Sequence, residues 1–214
     1  MKLILASQSP QRRELLREAG YTFVVVPPSP SAESGERGED SPGAFALRMA
    51  RQKAADVANR LAARKWSPGQ ETPPGPDEPL GLQIVVACDT VAECQGEILG
   101  KPRDAADARR MLELLSGREH QVISGLCLRH LPGGPPRMGV DVTRLRMDPL
   151  TPQQLDEYLS SGQWRDKAGA FGYQDRIDWI HLVEGSASNV IGLPMELLAR
   201  LLSELVPAEG PQAR

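Results

Sequence analysis

Nowhere does the chain hold an apolar run near the roughly 20 residues that cross a bilayer. Before Ser7 it offers one lysine and a few apolar residues, too short a stretch for a signal peptide, so a cytoplasmic location is expected. Cysteine is scarce: Cys88, Cys94 and Cys127 form no CxxC pair and cannot all be bridged, which speaks against a disulfide framework and a zinc site. Positive charge is not in excess. A net charge of −3 and a pI near 5.7 leave no broad basic face for nucleic acid, so phosphate recognition, where it occurs, has to be local. Also missing are a GxGxxG loop, a GxSxG elbow and an HExxH helix, and His120, His130 and His181 are scattered, which disfavours histidine-based catalysis. The stretch "GEILGKP" imitates a phosphate-cradling P-loop, but its glycines are too close together and Pro102 follows Lys101. No internal repeat is visible.

What the chain does hold is an ordinary globular composition, 40% hydrophobic and 25% charged over 214 residues, enough for a sizeable core. Leu3–Leu5 reads as a strand running into a helix, with Ser9 as N-cap, Pro10 at the first helical position and Gly20 as the stop. Tyr21–Val26 reads as a strand, followed by loop to Glu39 and a long helix from Ser41-Pro42 to about Arg64. The stretch "WSPGQETPPGPDEPLG", about residues 66–81, is dense in proline and reads as a mobile surface insert. Ile84–Cys88 has the continuous apolar character of a strand buried on both faces, ending at Asp89-Thr90. A loop or hairpin to Pro102, a helix from Asp104 to Leu115, and antiparallel strands over Val122–Leu128 and Val140–Met147 come next. Thr151-Pro-Gln-Gln is a capping box for a helix stopped by Gly162, then come a strand over Ile177–Val183, a helix over Pro194–Leu205 and a disordered tail from 207 to 214. The pattern is mixed α/β, read as one domain over 1–206.

The chemistry begins at "LASQSPQRRELL". Arg12 and Arg13 stand in the first turn of a helix, where the partial positive charge of the terminus disfavours each by about 0.3–1 kcal/mol. A bound phosphate, held by backbone N–H groups, the Ser7 or Ser9 hydroxyl and a guanidinium, would reverse that penalty; pairing with Glu14 or Glu18 is the plainer alternative. Lys53 borders the apolar stripe of the long helix and by itself reads as a snorkelling side chain, and Glu33 as a solvated acid. Asp89 says more, since an acid at the carboxyl end of a buried strand stands where α/β sheets place their ligand crevices. It can hold a divalent cation or accept a proton from water, although a turn-forming aspartate is the default elsewhere. Lys101 can meet a phosphate as a point charge.

Six stretches, in order from about residue 3 to 200, together resemble one family. They are "LILASQSPQRRELL", "FALRMARQKAADVA", "VACDTVAECQGEILGKP", "AADARRMLELLSGREHQVISG", "DKAGAFGYQ" and "VEGSASNVIGLPMELL". The family is that of the Maf-like nucleoside triphosphate pyrophosphatases, also called septum formation inhibitors. The resemblance implies a mixed, curved sheet flanked by helices, two lobes and a central cleft. It implies hydrolysis between the α and β phosphates of a nucleoside triphosphate, giving a monophosphate and pyrophosphate, with Mg²⁺ or Mn²⁺ as cofactor. Asp89 matches the family's proton acceptor. Ser7, Arg12, Lys53 and Lys101 match its phosphate-binding positions, and Glu33, with Asp89, its metal-binding acids. Two roles are open to Asp89: orienting a water beside the metal, which we favour because a carboxylate near a divalent cation is a weak base, or taking the proton directly. Substrate choice falls to Gln11, Thr90 and Gln174. Thr90 and Gln174 match the branch acting on dTTP and UTP. Gln11 matches neither that branch, which carries arginine there, nor the 7-methyl-GTP branch, which carries an aromatic residue. The resemblance therefore leans towards dTTP and UTP with lowered or broadened selectivity. It allows a homodimer, and its second name keeps open an interaction protein that restrains cell division, with nucleotide binding as its input. No nucleic-acid or membrane partner is implied.

Overall fold

A computed structural model of the chain describes residues 2–36, 38–63, 83–131, 133–175 and 177–205. The insert expected at about 66–81 and the tail expected from 207 to 214 lie outside them. Strand β1 (Lys2–Leu5) runs into helix α1 (Pro10–Glu18), where the Ser9 hydroxyl accepts the Arg12 N–H at 3.4 Å and Pro10 opens the first turn. Gly20, at φ +76°, turns the chain into β2 (Phe23–Val25), shorter than the strand expected over Tyr21–Val26. The stretch read as loop to Glu39 contains a short helix, α2 (Pro30–Glu33). Its start is fixed from outside: the N–H and hydroxyl of Ser29 donate to the carboxylate of Asp56 at 2.9 and 2.8 Å, and Pro30 sets the helical φ. Helix α3 (Pro42–Ala62) begins at Ser41, as its sequence predicts. The chain continues as β3 (Gln83–Cys94), a Gln95-Gly96 turn with both φ values positive, β4 (Glu97–Leu99), α4 (Ala105–Leu115) capped by Asp104, β5 (Glu119–Leu131) and β6 (Arg137–Met147). The capping box at Thr151 and the left-handed Gly162 bound α5 (Pro152–Ser161). Two 3₁₀ turns (Ala168–Ala170 and Tyr173–Asp175), β7 (Ile180–Glu184), α6 (Ala187–Ile191) and α7 (Met195–Leu205) complete it. The 3₁₀ turns and α6 are too short to display a period, and the sequence reading missed them. Among the described residues no helix is long and apolar enough to cross a membrane.

Seven strands form one mixed sheet in the order β2-β1-β3-β5-β6-β7, with β4 added to the far end of β3. β1 runs parallel to both β2 and β3, and the other pairings are antiparallel. One expectation is corrected here. The strand read as ending at Asp89-Thr90 does not end there, since β3 pairs with β5 without interruption from Gln83↔Leu131 to Glu93↔Gln121. What ends is its neighbour. The last rung of β1 on β3 is Leu5↔Val86, with the Ala6 N–H reaching the Val86 carbonyl at 2.8 Å, and β4 takes up the same edge only from Ala92. The apolar run stops at Asp89 because the sheet opens beside it, while the strand itself continues.

Helices cover both faces. On one, Ala50, Ala54, Val57 and Ala58 of α3 pack on Ile4, Val85, Ala87 and Cys127. On the other, Leu16 of α1, Leu193 and the α7 leucines pack on Leu3, Leu5, Ile84, Val86 and Cys88. A separate core at the far end of the sheet joins Leu99, Met111, Leu112, Leu145, Met147, Tyr158, Trp164 and Phe171. These are the two lobes, and the cleft lies between them. α3 lies close against the sheet at Gly125, the cross-strand partner of Asp89: a Cβ there would stand 2.3–2.5 Å from backbone atoms of Ala46 and Leu47. Only glycine lets this helix seat.

On β5 the ring of His120 is buried, its Nε2 has no partner among the described residues, and it meets Phe171 edge-on at 5.3 Å. Burial lowers its pKa to about 4, so the folded protein holds it neutral where the unfolded chain protonates it.

Two outcomes follow from this packing. Gly125→Ala forces α3 off the sheet and lowers stability by about 1–3 kcal/mol or more, read as an earlier urea midpoint. As pH falls from 6.5 to 4, the unfolded state takes up the His120 proton first, so stability declines with falling pH by up to about 3 kcal/mol from this group. His120→Phe flattens that part of the stability profile; an unchanged slope would contradict the neutral-histidine assignment.

Candidate active site

Residues 87–91 of β3 lie at an open strand edge, and successive side chains of a strand point to opposite faces. Asp89 therefore faces α3, and Thr90 faces α1 and α6. Both line one cavity of about 300 Å³ that wraps the opening.

On the α3 side, Lys53 is corrected from a snorkelling reading: it is 7% exposed, lies among Ala50, Ala54 and Val57, and its Nζ stands 2.5 Å from Asp89 Oδ1. In this part-buried pair desolvation offsets much of the attraction, so its net contribution to stability is small. The pair fixes the Asp89 carboxylate through one of its oxygens.

On the other side the start of α1 is organised by hydroxyls. The Ser9 N–H donates to Ser7 Oγ at 3.2 Å, and the Ser9 hydroxyl donates to Gln11 Oε1 at 3.0 Å. Arg12 is held at three points: Nε donates to the Gly192 carbonyl at 2.7 Å, Nη1 to Ser7 Oγ at 3.2 Å and Nη2 to Thr90 Oγ1 at 3.3 Å. Pairing with Glu14 or Glu18 is not its arrangement; Arg17 takes Glu14. Arg13 turns to a separate shallow groove with Arg17, Tyr21 and Phe23 and donates to the Gln8 carbonyl.

The far lobe supplies the opposite wall. Lys101 lies on the rim with its side chain 67% exposed, 3.8 Å from Asp166. Gln174 is exposed on the same wall, Phe171 is buried in it, and Glu33, at the end of α2, closes the cavity from the α3 side. Ser7, Gln11, Arg12, Glu33, Lys53, Asp89, Thr90, Lys101 and Gln174, singled out from the sequence, are thus all brought to one cavity. Gly192, Asp166 and Phe171 were missed, although each falls within a motif that carries the resemblance.

The donors suit a substrate-completed divalent cation. Among the described residues no group of three or more His, Cys, Asp or Glu side chains is placed to hold a metal. Glu33 and Asp89 both line the cavity, and Mg²⁺ is commonly held by one or two carboxylates together with phosphate oxygens and water. An all-protein cage is not what this site offers.

Comparison with known proteins agrees with this architecture. A family model described as "Maf-like protein" matches residues 2–205. A "dTTP/UTP pyrophosphatase" of Rhodopirellula baltica is 47% identical over 201 residues, covering 94% of this chain and 80% of the relative. Proteins of the same name from an Anaeromyxobacter species and from Carboxydothermus hydrogenoformans are 42% and 37% identical, each over 205 residues, covering 94% and 95% of this chain and 88% and 98% of theirs. The chain belongs to the family of Maf-like proteins.

Proposed function

We propose that this chain is a nucleoside triphosphate pyrophosphatase that hydrolyses the α–β phosphoanhydride of dTTP and UTP. The observation that carries the reading is the convergence of nine residues, spread from Ser7 to Gln174 in the sequence, on one cavity between the lobes. Relatives named for this activity cover nearly the whole chain. The acting unit is residues 1–206, because the cavity draws on residues from Ser7, before α1, to Gly192, after α6.

Arg12, Lys53, Lys101 and Lys167 bring four positive charges to the cavity wall, and Glu33, Asp89 and Asp166 remove three, which leaves the site short of neutralising a triphosphate. Glu33 and Asp89 would hold a divalent cation, Mg²⁺ or Mn²⁺, which when bound would supply the missing charge and stabilise the pyrophosphate leaving group. The chain's own residues do the positioning. Ser7, the N–H groups at the start of α1 and the Arg12 guanidinium bind phosphate oxygens. Lys53 holds one Asp89 oxygen, and the other orients a water against phosphorus. The water oxygen, oriented by Asp89, forms a bond to phosphorus as the bridging P–O bond breaks; its proton passes to solvent, and the electron pair departs with pyrophosphate. Gln11, Thr90 and Gln174 set the choice of substrate. Cytoplasmic residence, action as a homodimer and the absence of a nucleic-acid partner complete the proposal, on the resemblance and the net charge.

Purified protein with Mg²⁺ or Mn²⁺ is expected to release pyrophosphate from dTTP or UTP, and Asp89→Asn to lower kcat by roughly 10²-fold or more. Release from no triphosphate sinks the reading, and full activity in the variant removes Asp89 from its role. Gln11→Arg, assayed with dTTP, UTP, CTP and 7-methyl-GTP, is expected to gain selectively for dTTP and UTP, because arginine adds a charged, rigid fork that glutamine lacks. Unchanged selectivity would remove position 11 from substrate choice.

A further inference from the structure

Glu33 lines the cavity from α2, a single turn of four residues that is too short to hold its shape alone. The hydroxyl of its N-cap, Ser29, does not cap the turn. It goes instead to Asp56 of α3 at 2.8 Å, and the Ser29 N–H reaches the other carboxylate oxygen at 2.9 Å. At the opposite end the Gln52 amide nitrogen donates to the Ser31 carbonyl at 3.0 Å and to the Ser34 carbonyl at 3.2 Å. These two acceptors flank Glu33 in the chain. The Glu33 carboxylate itself has no hydrogen bond or ion pair among the described residues, so its place is set through the backbone of α2.

The attachment follows one row of α3. Arg48, Gln52, Asp56 and Arg60 stand four residues apart, on one side of the helix, and the chain around α2 is laid along them in reverse order. Arg60 donates to the Pro27 carbonyl at 2.8 Å, Asp56 takes Ser29, and Gln52 takes Ser31 and Ser34. Arg48 then donates to the Glu36 carbonyl at 2.7 Å and pairs with Asp40. Lys53, next to Gln52, reaches Asp89. The same stretch of α3 therefore meets Asp89 directly and Glu33 through α2. Gln52 and Asp56 are half-buried and do not line the cavity, so what they do for the site they do through Glu33.

We propose that Gln52 and Asp56 are positioning residues: by clamping the two ends of α2 on α3, they hold the Glu33 carboxylate in register with Asp89 for a divalent cation carried by a triphosphate. This deepens the proposed function and rests on its reading of Glu33 as a metal-holding acid. A single helix then sets the spacing of both acids, Asp89 through Lys53 and Glu33 through Gln52 and Asp56.

The experiment is calorimetry on the full chain with two probes: inorganic tripolyphosphate without metal, in the presence of a chelator, and the preformed Mn²⁺ tripolyphosphate complex. Gln52→Met keeps the length of the side chain and removes the N–H donors. It is expected to weaken binding of the Mn²⁺ complex roughly tenfold, the scale on which partners behind metal ligands act, and to leave metal-free tripolyphosphate unchanged. Asp56→Asn, in which an amide N–H meets the Ser29 N–H, is expected to give the same pattern, and it decides the proposal if Gln52→Met fails to fold. Glu33→Gln should weaken the complex as well. Adding Gln52→Met to it should cost nothing more, since a residue that acts only through Glu33 has nothing left to position. The proposal is overturned if the single variants bind the Mn²⁺ complex like the native chain, or if they weaken both probes alike, as a packing defect would. It is equally overturned if the Gln52→Met loss persists in full beside Glu33→Gln. Native affinity in Glu33→Gln alone overturns it too and removes Glu33 from the metal. Absence of pyrophosphate release from every nucleotide would defeat the pyrophosphatase reading alone, and these titrations, which need no turnover, would still decide the role of Gln52 and Asp56.

Discussion

The site depends on a gap along one edge of β3. Between Val86, where β1 lets go, and Ala92, where β4 takes over, the strand keeps β5 on one side and has no strand on the other. In a continuous sheet Asp89 and Thr90 would belong to different worlds, one under each helical layer, because neighbouring side chains of a strand point to opposite faces. The gap lets a single cavity reach round the strand and draw on both. β1 causes the gap by its brevity: it ends at Leu5, and the chain turns through Ser7 into α1 just where the opening begins. The same ending places the N-terminus of α1, a site suited to anions, at the mouth of the opening.

Each layer then delivers one charged group across the gap, by different means. α3 brings Lys53 to Asp89 by lying unusually close to the sheet, which Gly125 permits at the position directly opposite Asp89. Ala46 and Lys53 are seven residues apart, two turns of helix, so the contact at Gly125 and the contact at Asp89 share a helical face. On the other layer, α6 is only one turn and could not hold its place alone. It is secured by buried Asn189, whose amide donates to the Val122 carbonyl at 3.1 Å and to Thr143 Oγ1 at 2.9 Å. That anchorage lets the Gly192 carbonyl stand as a fixed acceptor for Arg12.

This division explains what was legible in the sequence. Helices with a period and a cap, such as α3, α4 and α5, declare themselves, and so does the β5–β6 pair. Asp89 stood out because the apolar run stops there, yet that signal came from the end of β1 and was misread as the end of β3. Lys53 looked like a snorkelling residue because its stripe is visible in sequence while the carboxylate it meets lies on another element. Gly125 gave no local sign at all: it matters through a close helix approach opposite Asp89, a relation that exists only once the strands are paired. The residues assembled from the resemblance came together in space because motif order carries long-range information that periodicity lacks.

The two arginines at the start of α1 can now be weighed against the helix terminus. Placing a cation there costs about 0.3–1 kcal/mol. Hydrogen bonds from a charged donor contribute about 1.5–3 kcal/mol each, so three acceptors on Arg12 outweigh the penalty before any ligand arrives. Arg12 is therefore already ordered in the free protein, so under the proposed function a triphosphate need not order it, which takes about 0.5–1.5 kcal/mol of side-chain ordering from the cost of binding. Lys53, clamped to Asp89, belongs to the same fixed set. Lys101 does not: with its side chain 67% exposed and its carboxylate neighbour 88% exposed, it gains little from that pair. Under the proposed function the near lobe thus offers a rigid half of a phosphate site and the far lobe an adaptable one, and the proposed attack is set by the rigid half, where Asp89 also lies.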